Sequence, residues 1–359
     1  MTALLESRVL SLVKPEVIEE VTKEREVKDG WVAIEPTYAS ICHADLRYFA
    51  GLRRPEALAK KLPMALLHEG IGVVKESGSP DFVKGDRVVV VPNIPGTILH
   101  PEIKQKAEVP PNYSQGNAFL GSGYDGLAQS VLVHPAECLV KIPDEIPAEI
   151  AVLSELSSVS HHAISHVMDK LVKAGTRVAL FGDGPVGYFT AVMLRYLYGV
   201  QAERFMVFGA AEDKLANFDF ARTANVLSYD FENEPEKFDV VIECTGGRFS
   251  ESAINQAIMI ADSLADIIFM GVTEELVPIN TRDILEKGIT VHGSSRSSTV
   301  DFAAVVEGMR NAEYREALKK ILPQQITEVS NGEDFSRMME KFVENPGWNK
   351  TVMHFNWQV

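Results

Sequence analysis

Five side chains set the chemistry that this sequence could perform. The segment SICHAD offers Cys42 and His43, LLHEGIG offers His68 and Glu69, and SELSS offers Glu155. Thiolate, imidazole and carboxylate are the donors of a catalytic zinc site, which leaves one position open to water or substrate. Taken singly, each has a plainer reading. A lone cysteine is usually a small buried hydrophobe, and a glutamate at a helix start is a favourable first-turn charge. Their joint occurrence, in this order and ahead of a dinucleotide motif, is what carries weight.

That motif is Gly182-Asp183-Gly184-Pro185-Val186-Gly187, a G-x-G-x-x-G pattern. It follows the strand-like run RVALF and opens the apolar helical stretch PVGYFTAVMLRYLYG, the context in which such glycines bind a dinucleotide. Gly182 permits the tight turn, Gly184 lets backbone N–H groups approach a pyrophosphate, and Gly187 lets helix pack on strand. The helix start at Pro185 and Val186 adds partial positive charge for the phosphates. A carboxylate ending the second strand would grip the ribose 2′-hydroxyl of NAD. In ERFMVFGAAEDKL that strand ends instead at Gly209, followed by Ala210 and Ala211, and Lys214 could reach a 2′-phosphate. NADP(H) is favoured over NAD, with Glu212 and Asp213 weighing the other way.

Two platforms must position these groups. The first ~150 residues hold short strand-like runs broken by Gly and Pro: GWVAIEPTYAS, GIGVVKES, GDRVVVVPN and AQSVLVHP. From about Ser154 strands alternate with helices, which implies a parallel sheet covered on both faces. The last ~60 residues are helical and charged and end in the strand-like KTVMHF, which can return to complete the first domain. The expected division is a catalytic domain of residues 1–152 and 296–359 around a dinucleotide-binding Rossmann domain of residues 153–295. Zinc and nicotinamide would meet in a cleft at the domain boundary.

Composition narrows the partners. A formal net charge of -15 over 359 residues, with no basic stripe, argues against nucleic acid. No apolar run approaches the roughly 20 residues that span a bilayer, and the N-terminus lacks a signal-peptide pattern. Three cysteines, Cys42, Cys138 and Cys244, are no disulfide framework, so a reducing cytoplasm is expected.

SICHADLRYFAG, HEGIGVV with VKGDRVVV, SELSSVSHHAI and ECTGG together resemble the medium-chain dehydrogenases of the zinc alcohol and polyol group, along nearly the whole chain. The resemblance implies an α/β protein: a β-rich GroES-like catalytic domain plus a doubly wound, parallel-sheet Rossmann domain. It implies one catalytic zinc, with Cys42, His68 and Glu155 as ligands and Glu69 as a fourth or exchangeable one. Asp45 would orient a ligand imidazole. Lys350 is placed like a terminal basic residue that meets cofactor phosphate, and a homodimer is implied.

Two departures matter. The segment from Pro92 to Asp125 contains no cysteine, so the structural zinc of many relatives is not expected. The positions of the usual proton relay hold Ala44 and Arg47, leaving a water, the ligand glutamate or a substrate hydroxyl to carry the proton. An Arg at the pocket suits a phosphate or carboxylate, whose two oxygens it can grip. The plainer reading of Arg47 is a solvated side chain over apolar surface, and Arg53, Arg54, Lys60 and Lys61 read mostly as surface charge.

Within the family, SICHADLRYFAGLR, KKLPMALLHEGIG, FGDGPVGY and INTRDILEKGITVHGSSRS are similar to the ribulose-5-phosphate reductase branch. This resemblance implies NADPH-dependent reduction of D-ribulose 5-phosphate to D-ribitol 5-phosphate, for CDP-ribitol used in teichoic acid or capsule synthesis. It implies Arg296 as a second substrate-binding arginine and, by analogy, a cytidylyltransferase partner. Two alternatives stay open: a polyol or sugar dehydrogenase acting on an unphosphorylated substrate, and a nonenzymatic NADPH-binding scaffold. The histidines His161, His162 and His166 read as structural.

Overall fold

The computed structural model of the protein describes residues 3–233, 235–344 and 347–358. The chain forms two compact units, one of Met1–Glu155, Ser297–Arg310 and Ile321–Val359, the other of Leu156–Arg296 and Asn311–Lys320.

In the first unit the expected runs become strands Trp31–Ser40, Glu69–Ser77, Arg87–Val90 and Leu132–Pro135 of one seven-stranded sheet. The tail does return. Strand Val352–Phe355 pairs antiparallel with Trp31–Ser40, setting Val352 opposite Ser40. A second sheet is built on the hairpin Ala3–Lys14 and Val17–Val27, which the expected strand runs do not include. Its second arm alternates half-buried and exposed residues, as one-sided burial of a strand requires. Val9, Leu10, Leu67, Leu127, Met353 and Phe355 lie in the core of this unit.

The second unit is a six-stranded parallel sheet. Its order places Arg222–Asn225, Phe205–Gly209, Val178–Phe181, Phe238–Glu243, Ala261–Phe269 and Thr290–Gly293 side by side. This is the 3-2-1-4-5-6 order of a doubly wound dinucleotide fold, whose crevice opens beyond the carboxyl ends of the strands. Phe181, Phe208, Phe238 and Ile267 fill its core.

The division differs from the expected 1–152 and 296–359 around 153–295 chiefly in one helix. Ala312–Lys319 packs on the dinucleotide unit, because the buried Tyr188 donates its hydroxyl to Ala317 O at 2.9 Å and Lys320 pairs with Asp219 at 2.8 Å. A buried tyrosine needs such an acceptor. The segments on either side, Ser297–Arg310 and Ile321–Val359, stay with the first unit.

One buried group ties the first unit's stability to pH. His134 lies wholly inside, its Nε2 2.8 Å from Val91 O, and burial pushes its pKa down to about 4 although that carbonyl opposes the shift. Below about pH 6.5 the unfolded chain binds a proton that the folded chain refuses. Stability is therefore fully present above that pH and falls as pH drops towards 4, by up to about 3 kcal/mol. Urea unfolding between pH 7 and 4 should show this slope, and His134→Gln should flatten it. An unchanged slope in the variant would contradict the assignment.

Candidate metal centre and dinucleotide cradle

Strand register assembles the centre. Ser40 stands opposite Glu69 on one side and opposite Val352 on the other. Three segments far apart in sequence therefore end side by side, carrying Cys42, His68 with Glu69, and Lys350. Backbone bonding continues the alignment past the strand, with Ile41 N donating to Thr351 O at 3.0 Å.

Cys42, His68 and Glu69 each point one ligand atom inward, all within 4.8 Å of one another. Asp45, wholly buried one helical turn beyond Cys42, organises two of them. Its Oδ2 accepts the Cys42 N–H at 3.0 Å, and its Oδ1 accepts the Leu67 N–H at 3.0 Å and lies 3.5 Å from His68 Nδ1. This leaves Nε2 of His68 to face the cluster, with the Phe119 ring 5.3 Å from the imidazole. Leu67 adopts φ +74, an uncommon conformation for a bulky residue that costs of order 1–3 kcal/mol. It is held by the Asp45 bond and by Leu127 N donating to Leu67 O at 2.9 Å, and it turns the chain so that His68 enters the centre.

Glu69 is buried with two unlike oxygens. Its Oε2 pairs with Lys350 Nζ at 2.6 Å and accepts the Ser40 hydroxyl, whereas Oε1 has no hydrogen-bond partner among the described residues. Lys350 also donates to Ile41 O at 2.9 Å. Burial raises the Cys42 thiol pKa, and the Glu69 charge adds to the rise while His68 opposes it. Burial would lower the His68 pKa, but the charge and contact of Asp45, with Cys42, hold it well above the usual imidazole range. Burial and the charge of Glu69 push Glu155 up to about 7. An unsatisfied carboxylate oxygen thus sits beside a thiol and an imidazole, an N, S, O donor set that would hold a cation. The residues fit zinc.

The expected site residues divide accordingly. Glu69 stands in the inner set with Cys42 and His68. Glu155, buried in the first turn of helix Ser154–Ser165, lies outside that set while still feeling its charges. Lys350, expected at a cofactor phosphate, is instead buried as the counter-charge of Glu69, because its strand is locked beside Ser40. His43 is exposed and outside the inner set, with its ring 5.8 Å from Phe342. Arg47 lies half-buried on helix His43–Phe49, and Arg296 is exposed at the end of the second unit with φ +60. His162 meets His166 edge-on at 5.2 Å, and His166 stacks on His292 at 5.5 Å.

In the second unit the glycine motif forms a tight turn between strand and helix. Gly182 has φ +129, and nothing would lie within 4 Å of a Cβ at Gly184. A Cβ at Gly187 would sit 2.0 Å from Gly182 O, so any side chain there parts helix Pro185–Tyr196 from the turn. Gly209 ends its strand under Asp183, whose Oδ2 accepts the N–H groups of Ala210 and Ala211 at 2.8 and 2.9 Å. Glu212 is tied to Asn225 Nδ2 at 2.6 Å, and Lys214 lies half-buried in the same short helix. The turn-holding role of Asp183 was not read from sequence. Its only signal was a carboxylate within the glycine motif.

Residues 28–144, which carry Cys42, His68 and Glu69, match the alcohol dehydrogenase GroES-like domain. Ribulose-5-phosphate reductase 1 of Staphylococcus aureus is 36% identical over 349 residues, 97% of this chain and 98% of that protein. The chain belongs to the ribulose-5-phosphate reductase family. Another member, from Bacillus spizizenii, is 36% identical over 352 residues, covering 97% of this chain and 98% of its own. In three dimensions S. aureus TarJ in complex with NADPH is similar with a TM-score of 0.83 and 33% identity, over 98% of this chain and 100% of that one. The reductase-family frame accounts for both units: the GroES-like half and the parallel Rossmann sheet. No helix of the described residues is long and apolar enough to cross a membrane.

The Lys350–Glu69 pair predicts a metal-dependent stability. Removing one partner of a buried pair costs about 3–5 kcal/mol. Lys350→Met should lower the denaturation midpoint of metal-free protein strongly and that of zinc-loaded protein much less, since a bound cation replaces the lost charge. Equal losses with and without zinc would contradict this.

Proposed function

We propose that the chain is a zinc-containing reductase that converts D-ribulose 5-phosphate to D-ribitol 5-phosphate with NADPH. The supporting observation is the buried Cys42–His68–Glu69 cluster in a chain 36% identical, along 97% of its length, to a ribulose-5-phosphate reductase. NADPH is favoured by the alanines after Gly209, by Lys214, and by the NADPH bound to TarJ. The product would supply CDP-ribitol for teichoic acid or capsule synthesis.

The reaction delivers a hydride to the ketone carbon and a proton to its oxygen, NADPH supplying the hydride and bound zinc a Lewis acid that polarises the carbonyl. The protein's part is placement. Cys42, His68 and Glu69 would hold the ion as a preformed set, with Asp45 fixing the imidazole through its Nδ1 side. Lys350 offsets the Glu69 charge, so the carboxylate tolerates burial before the ion arrives. Gly182, Gly184 and Gly187 leave room for the pyrophosphate at the start of helix Pro185–Tyr196. A dehydrogenase for unphosphorylated polyols is the second reading, supported by the match to (R,R)-butanediol dehydrogenase of Bacillus subtilis, 29% identical over 287 residues.

The assay is NADPH oxidation at 340 nm by zinc-replete protein with D-ribulose 5-phosphate, D-ribulose and D-xylulose. We expect turnover of the phosphate and little of the free sugars. Cys42→Ala should retain no zinc and lose turnover while still binding NADPH. Preference for the free sugars would move the assignment to the second reading, and an active, zinc-free Cys42→Ala protein would remove the metal from the mechanism.

A further inference from the structure

A second polar cluster lies beside the metal centre, and its hydrogen-bond inventory is out of balance. Tyr48 sits on the helix that begins after Cys42, and its ring is buried. Lys61, at the end of helix Pro55–Lys61, donates to Tyr48 Oη at 2.7 Å and to Ser122 Oγ at 2.8 Å, and the two hydroxyls are 3.1 Å apart. The Arg53 guanidinium carbon lies 4.8 Å from the centroid of the same ring. Among the described residues the Lys61 ammonium meets hydroxyls and no carboxylate.

An ammonium carries three hydrogens and each hydroxyl one, and none of the ammonium's sites can accept. Two Lys61 hydrogens go to Tyr48 and Ser122, and one hydroxyl hydrogen joins those two oxygens. One ammonium hydrogen and one hydroxyl hydrogen are left over on a cluster that carries the Lys61 charge. Surplus donors around an ammonium suit an acceptor-only anion, and a phosphate monoester is the one that the proposed substrate carries. The location suits it. Gly121, next to Ser122, has φ +65, and a Cβ there would lie 3.4 Å from Asp45 Oδ1, the oxygen that faces His68.

We propose that Lys61, Tyr48 and Ser122, with Arg53, form the subsite that anchors the substrate's phosphate group. This rests on the phosphoketose reading above and adds to Arg47 and Arg296, the arginines expected to bind the 5-phosphate or orient the sugar chain. Lys61 is a binding residue, so its loss should appear in KM more than in kcat. With zinc-loaded enzyme and NADPH, Lys61→Met should raise KM for D-ribulose 5-phosphate by roughly tenfold or more. The inhibition constant of inorganic phosphate should rise in parallel, and Lys61→Arg should restore part of both. Ser122→Ala should give a smaller change of the same kind. Unchanged KM and phosphate inhibition in Lys61→Met, with normal zinc content, would overturn the subsite. Should the wild-type enzyme not reduce D-ribulose 5-phosphate, the functional reading fails separately. Inorganic phosphate binding, followed by 31P NMR, then decides the subsite: weaker binding by Lys61→Met supports it and equal binding overturns it.

Discussion

The pairing of Glu69 with Lys350 is the interaction on which the centre depends. Two opposite charges are buried together, and the attraction between them offsets a desolvation cost of several kcal/mol per ion only when the geometry is good. That geometry comes from the sheet. Lys350 precedes a strand contributed by the far end of the chain, held to Ser40 by antiparallel pairing, and Ser40 is itself paired with Glu69. The counter-charge of Glu69 therefore reaches the centre from the far end of the chain, through the docking of its C-terminal strand.

Asp45 performs the complementary task from the helix side. It is acceptor-only, fully buried, and spends its two oxygens on the Cys42 and Leu67 backbone and on His68. Those contacts, with the charge of His68, outweigh burial and hold its pKa below the ordinary carboxylate range. The donors of the centre thus sit at a helix cap, beside a strained turn and at a strand start. The dinucleotide unit follows the same logic with backbone instead of charge, where Gly182, Gly187 and Gly209 allow approaches that a side chain would block.

Much of this was legible in the residues. Strand-like runs, the glycine motif in its strand–turn–helix setting, and the Cys42, His68 and Glu69 donors all depend on local patterns. What was hidden depends on pairing between distant segments. Nothing near Lys350 in sequence reveals that its strand lies beside Ser40, so its role was assigned by resemblance to a cofactor contact. Arg53 and Lys61 read as surface charge because the Ser122 turn that meets Lys61 comes from a distant part of the chain. The N-terminal hairpin stayed unread because charged residues interleave its apolar face, and helix Ala312–Lys319 joined the other unit through Tyr188.

The central claim is that one sulfur, from Cys42, and harder N and O donors from His68 and Glu69 hold a metal in this unit. Zinc K-edge X-ray absorption on the purified enzyme addresses it directly. The expected spectrum shows one zinc per chain with a single sulfur at about 2.3 Å and the remaining ligands N or O at about 2.0–2.2 Å. A zinc with no sulfur ligand, or with two or more, would contradict it.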